Sequence, residues 1–318
     1  ESADTQLLHL CETGQKNLDS YFNNVERSVN MAQAYVESDL TGLDDAELQR
    51  HLDSASEIME KLTYNTNGIL TYYYRIDPSI SDNVKGFWYV YDKEAGFQEH
   101  EVTDITKYDT NDTSQLVWYT VPKATGEAVW LPPYITDNLG AKVLSYNTPI
   151  YYDGKFVGVI GIELDYQTMA MQVDNITLYE NGLAFLTDEN GYLVYHPHGD
   201  VTGDTEETKM PEGVTDDNTI ITYSYKGVKK KAAKLPLETG MYLYVSVPEK
   251  EINAYWEKLI VQIIAVFVMW LALFLLQVRR WTGRITKPLR DLTDMAKKVD
   301  EGDYDCQLDY NEDNEIGL

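Results

Sequence analysis

The residues whose types could carry chemistry fall into four groups, and three of them lead nowhere. Asp109, Asn111 and Asp112 have the oxygen donors of a calcium loop, but the sixth position lacks Gly and the twelfth lacks Glu. His196 and His198 flank Pro197, which forbids the i,i+4 helical pairing of a metal site, so they read as a turn at a strand end. Lys229-Lys230-Lys231 is a short charge run of the kind found on a solvated strand or turn. No nucleophile motif, phosphate loop or paired-carboxylate spacing is present, so the stretch is expected to be no enzyme and to need no metal or cofactor. The fourth group is aromatic: Trp118-Tyr119, Trp130 and Pro133-Tyr134. Such rings give rigid apolar walls at low entropic cost, and an indole N–H or phenol O–H fixes the orientation of a small molecule.

These aromatics lie among short β-rich runs. From Gly68 the sequence reads ILTYYYRI, GFWYVYD, VWYTV and AKVLSYNTPIYYDGKFVGVIGIEL, which predict strands, with a hairpin turn at Asp153-Gly154. A helix is expected over 166–173. A smaller second set follows, LAFLTDENGYLVYHP, ITYSYKGVKKKAAKL and MYLYVSVP, with turns at Glu189-Asn190-Gly191 and Lys226-Gly227. Ahead of both sets, Leu18, Phe22, Val25, Val29, Ala32 and Val36 recur at spacings of 4, 3, 4, 3 and 4, the single seam of a long helix ending near Thr41-Gly42. A second helix is predicted from Asp44, with Glu47 completing a capping box and Leu48, Leu52, Ala55, Met59 and Leu62 on one face. Two antiparallel sheets in series, each tied to helices, make the fold class α+β.

Leu259 to Leu276 is apolar over 18 residues except for Gln262. At 1.5 Å per residue that is roughly 27 Å, close to the hydrocarbon thickness of a bilayer. Trp256 and Trp281 flank it at headgroup level. Arg279, Arg280, Arg284, Lys287 and Arg290 follow the span, whereas Glu249, Lys250, Glu251, Glu257 and Lys258 before it carry no cationic excess. The positive-inside rule therefore places residues 1–256 outside the cell membrane and 279–318 in the cytoplasm. An outer region needs a route across, and an amino-terminal membrane helix preceding Glu1 is expected. Cys11 and Cys306 then face opposite compartments and cannot pair. With 52 acidic against 26 basic side chains, a net charge of −26, there is no basic face for nucleic acid.

Beyond the span, Ile285, Leu289, Leu292, Ala296 and Val299 form a second heptad seam, with Pro288 near its start and Gly302-Asp303 at its end. This segment, with Pro288-Leu289, Glu301-Gly302-Asp303 and Glu315-Ile316-Gly317, resembles the first helix and connector of a HAMP relay domain. The acidic pair usual in that family before Ile-Gly is here Asn314-Glu315. The order of the outer elements, with Pro149-Ile150, Gly158-Val159-Ile160-Gly161 and Gly191 through His196-Pro197, resembles a double Cache (dCache) receptor.

The resemblance implies a layout. Residues 1–63 would be stalk helices carrying two tandem PAS-like modules, a membrane-distal ligand-binding one at 64–175 and a membrane-proximal one at 176–250. A transmembrane helix at 257–278 and a truncated HAMP domain at 279–318 complete it. The HAMP resemblance implies a homodimer and an output module, which would be a diguanylate cyclase, a chemotaxis signalling hairpin or a histidine kinase. The dCache resemblance makes Trp118, Tyr119, Trp130, Tyr134, Thr136 and Glu163 the candidate ligand-binding residues. Amino-acid-binding members carry Arg two residues before the Trp, Asp two after the Tyr, and Asp in the Gly-x-x-Gly-x-Asp strand; here those positions hold Leu116, Thr136 and Glu163. Without the Arg a carboxylate has no bidentate partner there. The expected ligand is accordingly not a typical α-amino acid but an amine-bearing or neutral polar molecule. The alternatives are a membrane-anchored ectoenzyme and a ligand-free dimerisation ectodomain.

Overall fold

The computed structural model of the chain describes residues 3–305 apart from 65, 202–204, 212 and 215–217, and leaves aside the side chains of 255 and 283–285. Cys306 and Glu315-Ile316-Gly317 lie outside the described residues. The chain forms two units, 1–252 and 253–318.

The first unit opens with α1 (Ala3–Asp39) and α2 (Asp45–Thr63). The turn between them is built from its side chains: Asp44 caps the Glu47 N–H at 3.1 Å, and Glu47 reaches back to the Thr41 hydroxyl at 2.6 Å. The first sheet contains β1 (Ile69–Ile76), β2 (Gly86–Asp92), β3 (Gly96–His100), β4 (Val129–Ile135), β5 (Lys142–Tyr152) and β6 (Lys155–Asp165). It is antiparallel, in the order β3-β2-β1-β6-β5-β4. Asp153 and Gly154 turn between β5 and β6 with φ of 50° and 75°, as a two-residue hairpin with both central residues left-handed requires. A short 3₁₀ turn (Ile105–Lys107) and α3 (Val117–Thr125) connect β3 to β4.

After α4 (Tyr166–Asp174) comes the second antiparallel sheet, of β7 (Leu183–Thr187), β8 (Leu193–Tyr195), β9 (Ile220–Tyr225), β10 (Val228–Pro236) and β11 (Tyr242–Pro248). Its order is β8-β7-β11-β10-β9. The fold is thus α+β with two antiparallel sheets, a helix at the amino terminus and α5 (Glu249–Asp300) at the carboxyl terminus.

Three expectations are corrected. The run VWYTV is not a strand but the first half of α3. Its residues are β-formers, yet Tyr119 is fully buried beside Ile105, Leu116 and Val159, and that tertiary packing overrides local preference. The Thr120 hydroxyl donates to the carbonyl of Gln115 at 2.8 Å, closing the first turn. Second, the heptad spacing from Leu18 to Val36 leads one to expect a stripe near the axis of a parallel dimer, but all six residues are at most 1% exposed, buried in one core with residues of both sheets. A helix flanked by sheets needs the same periodicity as one in a coiled coil, so spacing alone does not choose between them. Third, Pro288 starts no helix. It lies inside α5, whose 52 residues are unbroken, at the cost of one ladder hydrogen bond.

In the second unit, α5 carries a stretch long and apolar enough to cross a membrane, with none of it buried within the chain. The helix stops at Gly302, φ 93°, where the Gly302 and Asp303 N–H groups donate to the carbonyls of Val299 and Lys298.

Candidate ligand-binding site

Side chains alternate along a strand, so β1 splits its own sequence into two faces. Tyr72, Tyr74 and Ile76 turn into the core; the Tyr74 hydroxyl meets Nε2 of buried His51 at 3.1 Å. Thr71, Tyr73 and Arg75 occupy the opposite face. There β1 pairs with β6 as Thr71 with Glu163, Tyr73 with Gly161 and Arg75 with Val159. Strand β5 adds Ser145 beside Glu163 and Asn147 beside Gly161.

A polar lattice covers this face. Tyr73 donates to Asn147 Oδ1, and Asn147 Nδ2 donates to the Ser145 hydroxyl at 2.9 Å. The Tyr134 hydroxyl donates to Glu163 Oε1 at 2.6 Å, and Thr71 donates to the other carboxylate oxygen at 2.7 Å. Gly161 makes room for the lattice, because a Cβ there would stand 2.2 Å from Asn147 Oδ1 and 2.8 Å from the Tyr73 hydroxyl. Glu163 is nearly buried, and burial raises its carboxyl pKa above the ordinary value against the opposing pull of the Tyr134 and Thr71 hydrogen bonds. Burial also pushes the Tyr73 and Tyr134 hydroxyls well above the usual range, so both stay protonated donors.

Above the lattice lies a cavity of about 410 Å³. Trp118 forms one wall, edge-on to Tyr73 at 4.9 Å. Leu116, in the left-handed conformation at φ 45°, lines the cavity where the dCache resemblance would put an Arg. Tyr134, Thr136 and Glu163 complete the arrangement that the sequence suggested. Thr136 closes a turn as well, its hydroxyl accepting from the Ala141 N–H at 3.3 Å.

Two candidates stand elsewhere. Tyr119 points below the cavity wall, donating to Asp77 Oδ2, which Lys123 also approaches at 3.2 Å. Trp130 sits against α1: its indole N–H donates to Glu26 at 2.7 Å and its ring meets Phe22 edge-on at 5.3 Å. It lines a second cavity of about 410 Å³ beside Tyr146, Asp188 and Glu238. Reading the aromatic run as a unit missed that β4 bulges at Pro132-Pro133, between Leu131 and Tyr134. That bulge puts Trp130 and Tyr134 on different surfaces.

Other cavity residues were not anticipated. Tyr73 and Arg75 of β1 and Trp88 of β2 line it, as do Gln115 and Asn138 from the connections. A signal for Arg75 existed, since a charged residue interrupting the apolar run ILTYYYRI needs a polar surrounding on its own face. The remaining polar features are local structure. Asp109 and Asp112 accept the N–H groups of Asn111 and Ser114 in turns. His196 is buried, accepts from the His198 N–H and has its pKa pushed down to about 4, chiefly by burial and then by Lys230. Burial pushes the Cys11 thiol up to about 12.

Comparison with known proteins agrees with this architecture. A Cache-domain model matches residues 1–256 and a HAMP-domain model matches 282–318. The methyl-accepting chemotaxis protein TlpA of Bacillus subtilis is 23% identical over 232 residues, 70% of this chain and 35% of that protein. TlpQ of Pseudomonas aeruginosa is 28% identical over 144 residues, 42% of this chain and 19% of that one. The chain therefore spans about a third or less of these relatives. Among solved structures, the extracellular domain mmHK1S-Z3 superposes with a TM-score of 0.60 at 19% identity, covering 81% of this chain and 99% of its own. The ligand-binding domain of the Pseudomonas aeruginosa amino acid chemoreceptor PctB, in complex with L-Arg, gives 0.56 at 16% identity, covering 81% and 93%. The match over residues 1–256, the whole first unit, shows that the chain belongs to the Cache-domain family, with a HAMP domain following the Cache region.

Proposed function

We propose that the chain is the sensing and relay portion of a dimeric bacterial membrane receptor, which binds a small molecule outside the cell and signals through α5. The observation that carries this is the 410 Å³ cavity over a sheet face with a nearly buried carboxylate and a hydroxyl lattice, in a chain that also bears a membrane-length apolar helix. Cavities of this size, apolar-walled with a few convergent polar groups, suit small ligands. In this reading 1–63 are stalk helices, 64–175 the membrane-distal PAS-like module holding the ligand, and 176–250 the membrane-proximal module. Residues 257–278 span the membrane and 279–318 belong to HAMP. The ligand-contacting set is Trp118, Tyr134, Thr136 and Glu163, with Tyr119 supporting from behind, while Trp130 packs against α1 on the other surface. The relatives described above are chemotaxis receptors, which favours a chemotaxis signalling region as output over a cyclase or kinase.

The solved PctB domain binds L-Arg, but the wall of this cavity differs where such recognition would need it. Leu116 offers no charge, and Thr136 is engaged in its own turn. An α-amino acid seated with its ammonium at Glu163 would place its adjacent carboxylate against this wall, buried and underpaired. The ligand is thus not a typical α-amino acid, and Glu163 with Tyr134 favours an amine or a neutral polar group.

Orientation is tested by cysteine labelling on intact cells. Lys229→Cys, on an exposed part of β10, should react with a membrane-impermeant maleimide, and Arg290→Cys only after permeabilisation. The reverse pattern would overturn the topology. Dimerisation is tested on the HAMP seam, where Leu289, Leu292 and Val299 are 49%, 37% and 42% exposed in the single chain and present an apolar stripe for a partner. Cysteines at Leu289 or Leu292 should crosslink in membranes, and those at Asp291 or Asp294 poorly. Equal crosslinking at all four would remove the seam as an interface.

A further inference from the structure

Arg75 is the charged group that the reading above leaves unused. The residue is 3% exposed and lines the cavity. Its Nε donates to the carbonyl of Thr103 at 3.1 Å, and Nη1 donates to those of Ile76 and Lys85 at 2.7 and 2.8 Å. Nη2 has no hydrogen bond to any described residue, and no described carboxylate forms an ion pair with this guanidinium.

The nearby charges are already engaged. Asp77 takes Lys123 at 3.2 Å and the Tyr119 hydroxyl, while Asp104 pairs with Lys107 at 3.4 Å toward the surface. Asp137, on the cavity rim, is exposed. The carboxylates that Arg75 feels, Asp104 and Asp77, are thus each already paired with a lysine. A buried guanidinium met only by carbonyls carries a large desolvation cost, which an anion at Nη2 would offset.

Position decides the rest. Arg75 and Thr71 are four residues apart on β1, about 13 Å of strand, and Glu163 is the cross-strand partner of Thr71. The guanidinium is held toward the Ile76 and Lys85 carbonyls, away from that end. A molecule carrying both charges on adjacent atoms cannot reach both groups.

We propose that Arg75 Nη2 receives the carboxylate of an elongated ω-amino acid whose ammonium group is received by Glu163. The proposal rests on the assignment of this cavity as the ligand site and names what fills it. The chain, in lipid nanodiscs, is titrated calorimetrically with the straight-chain series from 4-aminobutanoate to 8-aminooctanoate. Each acid is compared with its terminal amide and with its 2-amino isomer, which has the same atoms and charges. The best acid should bind at least about tenfold more tightly than either, because only it presents an anion to the unpaired guanidinium. The preference over the amide should fall to about onefold in Arg75→Gln. Because Arg75 also ties three carbonyls, that variant can fail to fold, and then the acid-to-amide ratio in the native chain decides alone. Amides binding as well as acids, with both lost in Trp118→Ala, would leave the cavity standing and remove Arg75 from recognition. An acid preference that survives Trp118→Ala undiminished would instead remove the cavity. Absence of binding by every acid at millimolar concentration would overturn the proposal.

Discussion

Gly158→Ala is expected to destabilise the first unit by about 3 kcal/mol or more, the scale of severe overpacking in a core. A Cβ at Gly158 would stand 2.1 Å from the Arg75 carbonyl oxygen and 3.0 Å from its carbon. Both are backbone atoms of the neighbouring strand, so no rotamer change relieves the clash; β1 must move away from β6. For a unit of this size that corresponds to a fall of roughly 6–12 °C in the unfolding temperature. Two comparisons isolate the cause. A Cβ at Gly161 meets the side chains of Asn147 and Tyr73, which can shift, so Gly161→Ala should cost less stability while disturbing the cavity floor. Gly96, at φ 74° with open space around it, should cost only about 1–2 kcal/mol of backbone strain. A Gly158→Ala midpoint within 2 °C of the native one (roughly half a kcal/mol) would contradict the register described for β1 and β6.

That glycine also shows what the sequence could and could not disclose. Gly158-Val159-Ile160-Gly161 stood out as a motif, but its reason is three-dimensional: one glycine admits a neighbouring strand and the other admits a Tyr–Asn pair. Hairpin turns such as Asp153-Gly154 and Lys226-Gly227 were legible because left-handed backbone selects few residue types, and both pairs adopt it. The capping Asp44 was legible for the same local reason, although Glu47 turned to Thr41 instead of completing the box. The Leu18–Val36 seam was legible as periodicity but not as to what covers it. Trp118 and Tyr119 are adjacent in sequence, yet one faces the cavity and the other is buried beneath it. Helix α3 makes that separation, and VWYTV gave no local sign of a helix. Arg75 was visible as a charge interrupting the apolar run ILTYYYRI, but which of its donors lack a partner is a property of the fold rather than of the chain.

The central claim, that a ligand occupies the cavity between Trp118 and Glu163, is tested most directly by comparing two tryptophans. Trp118 forms a wall of that cavity, while Trp130 is held against α1 by Glu26 and Phe22. Truncating a central aromatic contact commonly costs at least 2 kcal/mol of binding, about 30-fold in affinity. Truncating Trp130 removes packing against α1 and should lower thermal stability without changing the cavity wall. The measurement is calorimetric affinity for the tightest binder in a panel of amines, ω-amino acids and neutral polyols, taken where all variants are folded. The account predicts a loss of about 30-fold or more for Trp118→Ala and less than threefold for Trp130→Ala. Affinity lost in Trp130→Ala but kept in Trp118→Ala would place the ligand in the second cavity and contradict it.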